Sequence, residues 1–60
     1  MFIPLNLPDG TLIYVNPDNV TWFQPRVNQT LDSVIHFTDG TNITVAQIPP
    51  EILALIPVGP

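Results

Sequence analysis

The residues with chemical potential in this chain are few, and they cluster loosely. Trp22-Phe23-Gln24-Pro25-Arg26 places an indole, a benzyl ring and a guanidinium within five positions. Such a set can stack against a planar ligand and clamp an anionic group. His36 lies in a separate apolar run, and Tyr14 in another. These four, Trp22, Arg26, His36 and Tyr14, are the candidate ligand-binding residues. One arginine per chain makes a weak anion site, which becomes stronger if a symmetric assembly repeats it around an axis. The competing reading makes Trp22 core or interface, and Arg26 a solvated residue.

No catalytic constellation is legible. A general base or metal site at His36 would need carboxylate or histidine company at a set spacing, and none is present. A half-buried structural histidine is the better reading. The five carboxylates have structural explanations: Asp9, Asp18 and Asp39 in turns, Glu51 at a helix start, and Asp32 before a strand. There is no lysine, so a Walker-type phosphate loop and Schiff-base chemistry are excluded. Ser33 is the only serine and is not part of a nucleophile elbow. Asn19, Asn28 and Asn42 each begin an Asn-X-Thr triplet, the pattern of a glycosylation acceptor. In a chain rich in Asn and Thr they read as by-products of composition. The expectation is a non-enzyme with no catalytic residue, no metal and no cofactor.

Composition narrows the partners. The net charge is −4, from one arginine against five acids. A nucleic-acid binder needs several cations to neutralise phosphates, so direct nucleic-acid binding is not expected. Anionic membrane surfaces are disfavoured for the same reason. No apolar run approaches the ~18 residues of a span, and residues 1–7 lack the pattern of a secretory signal. The expected compartment is the cytoplasm. Sixty residues make one domain, and a chain of this size buries only about 60 % of its unfolded surface. Small domains add disulfides, metals or association. With no cysteine and one histidine, association is the remaining route. Hydrophobic residues at 45 % against 10 % charged point the same way, toward a homo-oligomer.

The elements that must position these residues follow from turn chemistry. Asp9-Gly10 and Asp39-Gly40 are strong hairpin signals. Met1–Leu7 and Thr11–Val15 form the first hairpin, with Pro4 confining its strand to an edge. A two-residue loop there opposes Leu7 to Leu12 and Leu5 to Tyr14, giving a core face of Leu5, Leu7, Leu12 and Tyr14. Asn16-Pro17-Asp18-Asn19 is a turn, and Val20–Gln24 a third strand. Residues 25–32 form a polar connection. A second hairpin spans Ser33–Val45, its two-residue loop opposing His36 to Ile43 and Val34 to Val45. Pro50–Ile56 has the start signals of a short helix, stopped by Pro57. A helix of two turns does not persist alone, so Ile52, Leu53, Leu55 and Ile56 must dock on the sheet or on a neighbouring chain. With Val58 of the tail 57–60, they are the candidate interface. Asp-Gly-Thr recurs thirty residues apart, at Asp9 and Asp39. Two hairpins sharing turn chemistry account for this, as would an internal duplication.

The order of elements resembles the small FlbD/SwrD-type proteins of flagellar gene clusters. The matching residues are Asp9-Gly10, Val15-Asn16-Pro17, Val20, Asp32-Ser33-Val34-Ile35, Asp39-Gly40, Thr44-Val45 and Glu51-Ile52, covering roughly residues 5–56. Where that family carries charge between the last strand and the helix, this chain has Ala46-Gln47-Ile48-Pro49-Pro50. The pattern also looks like that of small phage-encoded proteins, which would act in the host cytoplasm. The resemblance implies a small β-meander that works by binding and offers no catalytic residues.

The expected fold is therefore mainly β: an antiparallel meander of about five strands with a short C-terminal helix. Its expected role is that of a regulatory protein acting as a homo-oligomer through protein–protein binding. The alternative is a small-ligand binder, such as a phage sponge holding a nucleotide signal between subunits.

Overall fold

A computed structural model describes residues 1–26 and 32–56 of the chain. The architecture is mainly β, with five strands, a 3-10 turn and one short helix. The strands are β1 (Ile3–Asn6), β2 (Leu12–Val15), β3 (Val20–Pro25), β4 (Ser33–Phe37) and β5 (Asn42–Val45). Helix α1 spans Pro49–Leu55. The expected polar connection falls largely on residues 27–31, and the apolar tail with its helix-stopping Pro57 on 57–60. Both lie outside the described residues.

The meander is not one continuous sheet. β1 and β2 make a two-stranded sheet, while β3, β4 and β5 make a three-stranded one in that order. The break falls at Pro17–Asn19, a single 3-10 turn started by Asn16, whose side chain accepts the Asp18 N–H at 3.0 Å. Proline at the first position presets φ for this turn. The chain thus leaves β2 in a new direction instead of folding back alongside it.

Both hairpins are shifted by one residue from a two-residue loop. Leu7 N–H donates to Thr11 O and Gly10 N–H to Leu7 O, each at 2.8 Å. Phe37 N–H donates to Thr41 O at 2.9 Å, and Gly40 N–H to Phe37 O at 3.0 Å. Each loop therefore has three residues: a type I turn followed by a left-handed glycine, with φ +94 at Gly10 and +90 at Gly40. The Asp side chain explains the choice. Asp9 accepts the Thr11 N–H and Asp39 the Thr41 N–H, both at 2.9 Å, which holds the bulge closed.

A one-residue slip turns a strand's side chains to the opposite face. Ile3 pairs with Val15, Leu5 with Ile13 and Asn6 with Leu12. Ile3, Leu5 and Val15 are buried, whereas Leu12 and Tyr14, expected in the core, are more than half exposed. His36 opposes Asn42 and Val34 opposes Thr44, in place of Ile43 and Val45. With an offset of thirty, the second hairpin repeats the first. Ser33, Ile35 and Val45 are its buried residues, standing where Ile3, Leu5 and Val15 stand.

The core is completed by Ile52 of α1, 1 % exposed, and lined by Ile13, Val20, Phe23, Phe37, Ile43 and Ile56. Burial of a side chain such as Ile52 contributes about 1.5–3 kcal/mol. Glu51 accepts the Ile48 N–H at 3.0 Å and so caps the helix start. Ile52 therefore docks within its own chain and is not presented to a neighbour; Ile56 packs beside it.

The two sheets are joined through the segment after β5. Ala46 N–H donates to Asn6 O at 2.7 Å. The Gln47 carboxamide accepts the Asn6 N–H at 2.9 Å and donates to the Asn6 side chain at 2.8 Å. The hydroxyl of Ser33, fully buried, donates to the Gln47 carbonyl at 2.7 Å. Gln47→Ala removes both carboxamide bonds and leaves the Asn6 N–H without this partner. The expected loss is about 1–3 kcal/mol, read from urea unfolding followed by far-ultraviolet circular dichroism. An unchanged midpoint would mean that water replaces the carboxamide without cost.

Candidate functional site

The outer face of the three-stranded sheet is set by the register. Phe23, Ile35, Ile43 and Val45 turn inward, so Trp22, Gln24, Val34, His36, Asn42 and Thr44 turn outward. Val20 also packs inward, although it lies three residues before Phe23. A β-bulge between Val20 and Trp22 absorbs the extra residue. The Thr21 hydroxyl there donates to His36 O at 3.1 Å. Strict alternation along Val20–Gln24 would have put Val20 and Trp22 on one face. The bulge lets both rings of the Trp-Phe pair go where they belong.

Trp22 and His36 are cross-strand partners and stack face to face, ring centroids 3.6 Å apart and planes 7° from parallel. The indole remains half exposed, and β3 is an edge strand of its sheet. His36 Nε2 is buried with no hydrogen-bond partner among the described residues. A rigid, partly open aromatic platform on a largely polar sheet face can receive a flat ligand by stacking.

The other two candidates do not join this pair. Tyr14 belongs to the two-stranded sheet, exposed on its outer face beside Leu12. Arg26 follows β3, roughly 13 Å along the chain from Trp22 at the usual strand rise. Its guanidinium pairs with Asp32 at 2.7 Å, and its N–H donates to Asp32 O at 3.2 Å. The only cationic side chain of the protein thus has a carboxylate partner, although 43 % of it remains exposed. Asp32, just before β4, serves as that partner. The described residues contain no cluster of three metal-ligating side chains. No helix among them is long and apolar enough to cross a membrane.

A shallow depression of about 340 Å³ lies at the second turn, lined by Asn19, Phe37, Thr38, Asp39 and Thr41. Its acid is engaged: the Thr41 hydroxyl and N–H both donate to Asp39, at 2.6 and 2.9 Å. These bonds, the side-chain one foremost, hold the Asp39 carboxyl below its ordinary value of 3.8. Thr11 does the same for Asp9. A depressed folded-state value stabilises the fold above the unfolded value and loses that contribution as pH falls through the folded one. Both turns should therefore loosen in acid below 3.8. Asp39→Asn should flatten the acid limb of stability against pH, measured by urea midpoints. An acid limb as steep as the parent's would show that the turn carboxylate is not responsible.

No protein-family model, curated protein or solved structure matches this chain.

Proposed function

We propose that this chain is a non-enzymatic interaction protein that acts as a homo-oligomer. One observation carries the reading. Among the described residues, Met1, Phe2, Leu12, Tyr14, Trp22, Leu53 and Leu55 are exposed large hydrophobics, against a core of six buried apolar residues. Apolar surface gathered on a small domain marks an interaction face. One such group is Pro4, Leu12 and Tyr14 on the outer face of the β1–β2 hairpin, with Phe2 just before β1; Leu53 and Leu55 are exposed on different sides of α1. With Ile52 and Ile56 turned to the core, Leu53 and Leu55 are what α1 offers a partner. Val58, the fifth interface candidate, lies outside the described residues.

The alternative, a small-ligand binder holding a nucleotide signal between subunits, is favoured by the Trp22–His36 stack. The Arg26–Asp32 pair counts against it, because an anion would have to displace a carboxylate already in place. Arg26→Ala, tested by nucleotide titration of Trp22 fluorescence, separates the two: only a clamp loses affinity.

Native mass spectrometry and light scattering should give a multiple of the 6.6 kDa chain mass. A bare monomer at every concentration would sink the reading. Leu55→Glu then assigns the helix. A fall in native mass puts α1 in the self-interface, and an unchanged mass leaves it free for a second protein.

A further inference from the structure

We infer that the outer edge of β2 is the self-association surface, and that its occupant is β2 of a second copy. The inference rests on the homo-oligomer reading and names its interface. Antiparallel pairing alternates the direction of main-chain groups. Leu7–Thr11 and Leu5–Ile13 pair toward each other, so the N–H and C=O groups of Leu12 and Tyr14 point away from β1. The Asn6 main chain, on the same parity in β1, does point outward and bonds to Ala46 and Gln47. No described residue pairs with the outward groups of Leu12 and Tyr14.

The other edges are closed or polar. On β1, Pro4 has no N–H to offer and Asn6 is engaged by Ala46 and Gln47. On β3, Pro25 lacks an N–H, and Phe23, whose main chain points outward, packs its side chain against the core. The outward residues of β5 are Asn42 and Thr44, both polar. Among the described edges, β2 is the one where the residues with unpaired main-chain groups themselves carry exposed apolar side chains, Leu12 at 53 % and Tyr14 at 64 %. It has no lysine, proline or inward charge to guard it, the features that keep edges apart.

A second copy fits this edge for three reasons. A two-fold axis at Ile13 sets Leu12 of one copy opposite Tyr14 of the other, and all the outward N–H and C=O groups of both residues then pair. The same register makes two aliphatic–aromatic cross-strand contacts, a favourable combination. β1 and β2 contain no charged side chain, so two copies of an acidic protein meet there without like-charge repulsion. A two-stranded hairpin is also marginal by itself, and joining two of them gives a four-stranded sheet.

The test is analytical ultracentrifugation over a wide dilution series, with amide hydrogen exchange resolved at Leu12 and Tyr14. Wild type should dimerise, and both amides should gain protection as concentration rises. Leu12→Lys and Tyr14→Lys, at exposed positions, should each weaken dimerisation by about tenfold or more while the far-ultraviolet spectrum is retained. If a variant misfolds, the wild-type exchange experiment decides alone. A wild-type monomer throughout would overturn this proposal and the homo-oligomer reading together. An oligomer whose Leu12 and Tyr14 amides exchange freely would overturn only the β2 edge. Concentration-independent protection of those amides would also overturn it, placing a segment of the same chain on the edge.

Discussion

The fold depends on one polar clasp, Asn6–Gln47–Ser33. The two sheets are separate ladders, and the connection between β2 and β3 is a 3-10 turn that pairs with neither β1 nor β5. Hydrophobic contact alone would bring the two inner faces together without specifying their register. Gln47 supplies that specification. Its carboxamide takes the place of a neighbouring strand for Asn6, satisfying both main-chain and side-chain groups there. Its carbonyl meanwhile satisfies the buried Ser33 hydroxyl on β4. Ser33 occupies the position that Ile3 holds in the first hairpin. The polar residue at this position ties the second hairpin to Gln47, and through Gln47 to the first sheet. Satisfied polar groups of this kind fix an arrangement more than they strengthen it.

The Asp-Gly-Thr triplet exerts the second constraint. It closes each hairpin with the same three-residue loop, and loop length fixes register, which in turn fixes the buried face. The equivalence of Ile3, Leu5 and Val15 with Ser33, Ile35 and Val45 follows from this chain of causes. Shared turn chemistry is sufficient to produce it, with or without a duplication. The hairpins differ on their outer faces. The second bears His36, Asn42 and Thr44 where the first bears Asn6, Leu12 and Tyr14. Among the described residues, only the second gains a third strand from its own chain.

Element identity was largely legible in the sequence, because turn residues and β-branched runs punctuate the chain at every boundary. The strands and the helix fall within one or two residues of expectation. Which side chains face the core was less legible. Asp-Gly is compatible with a two-residue loop and with a three-residue loop ending in glycine, and the difference of one residue exchanged Leu12 and Tyr14 for Ile13 and Val15. Pro8 was the available signal, since it suits the second position of a type I turn. The Trp22–His36 stack was hidden for a related reason. It needs the bulge at Val20–Trp22, which has no glycine to announce it. The Arg26–Asp32 pair depends on where the chain returns after β3, which local pattern does not encode. Gln47 looked like a linker residue, because the donor and acceptor it serves lie forty-one positions away at Asn6.

The chemical poverty of the chain is itself an argument about how it works. Its one cationic side chain is paired and its histidine is stacked, while two of its acids are bound up in turns. Beside the exposed acids Asp18 and Glu51, the groups available to a partner are an indole face, a tyrosine, several aliphatic side chains and a strand's worth of main-chain donors and acceptors. Apart from the acids, these recognise shape, apolar surface and backbone. Backbone recognition is general, so selectivity must come from register and from the side chains that flank the edge. A second copy of the same strand supplies both at once, which makes self-recognition the simplest specific interaction this surface can support.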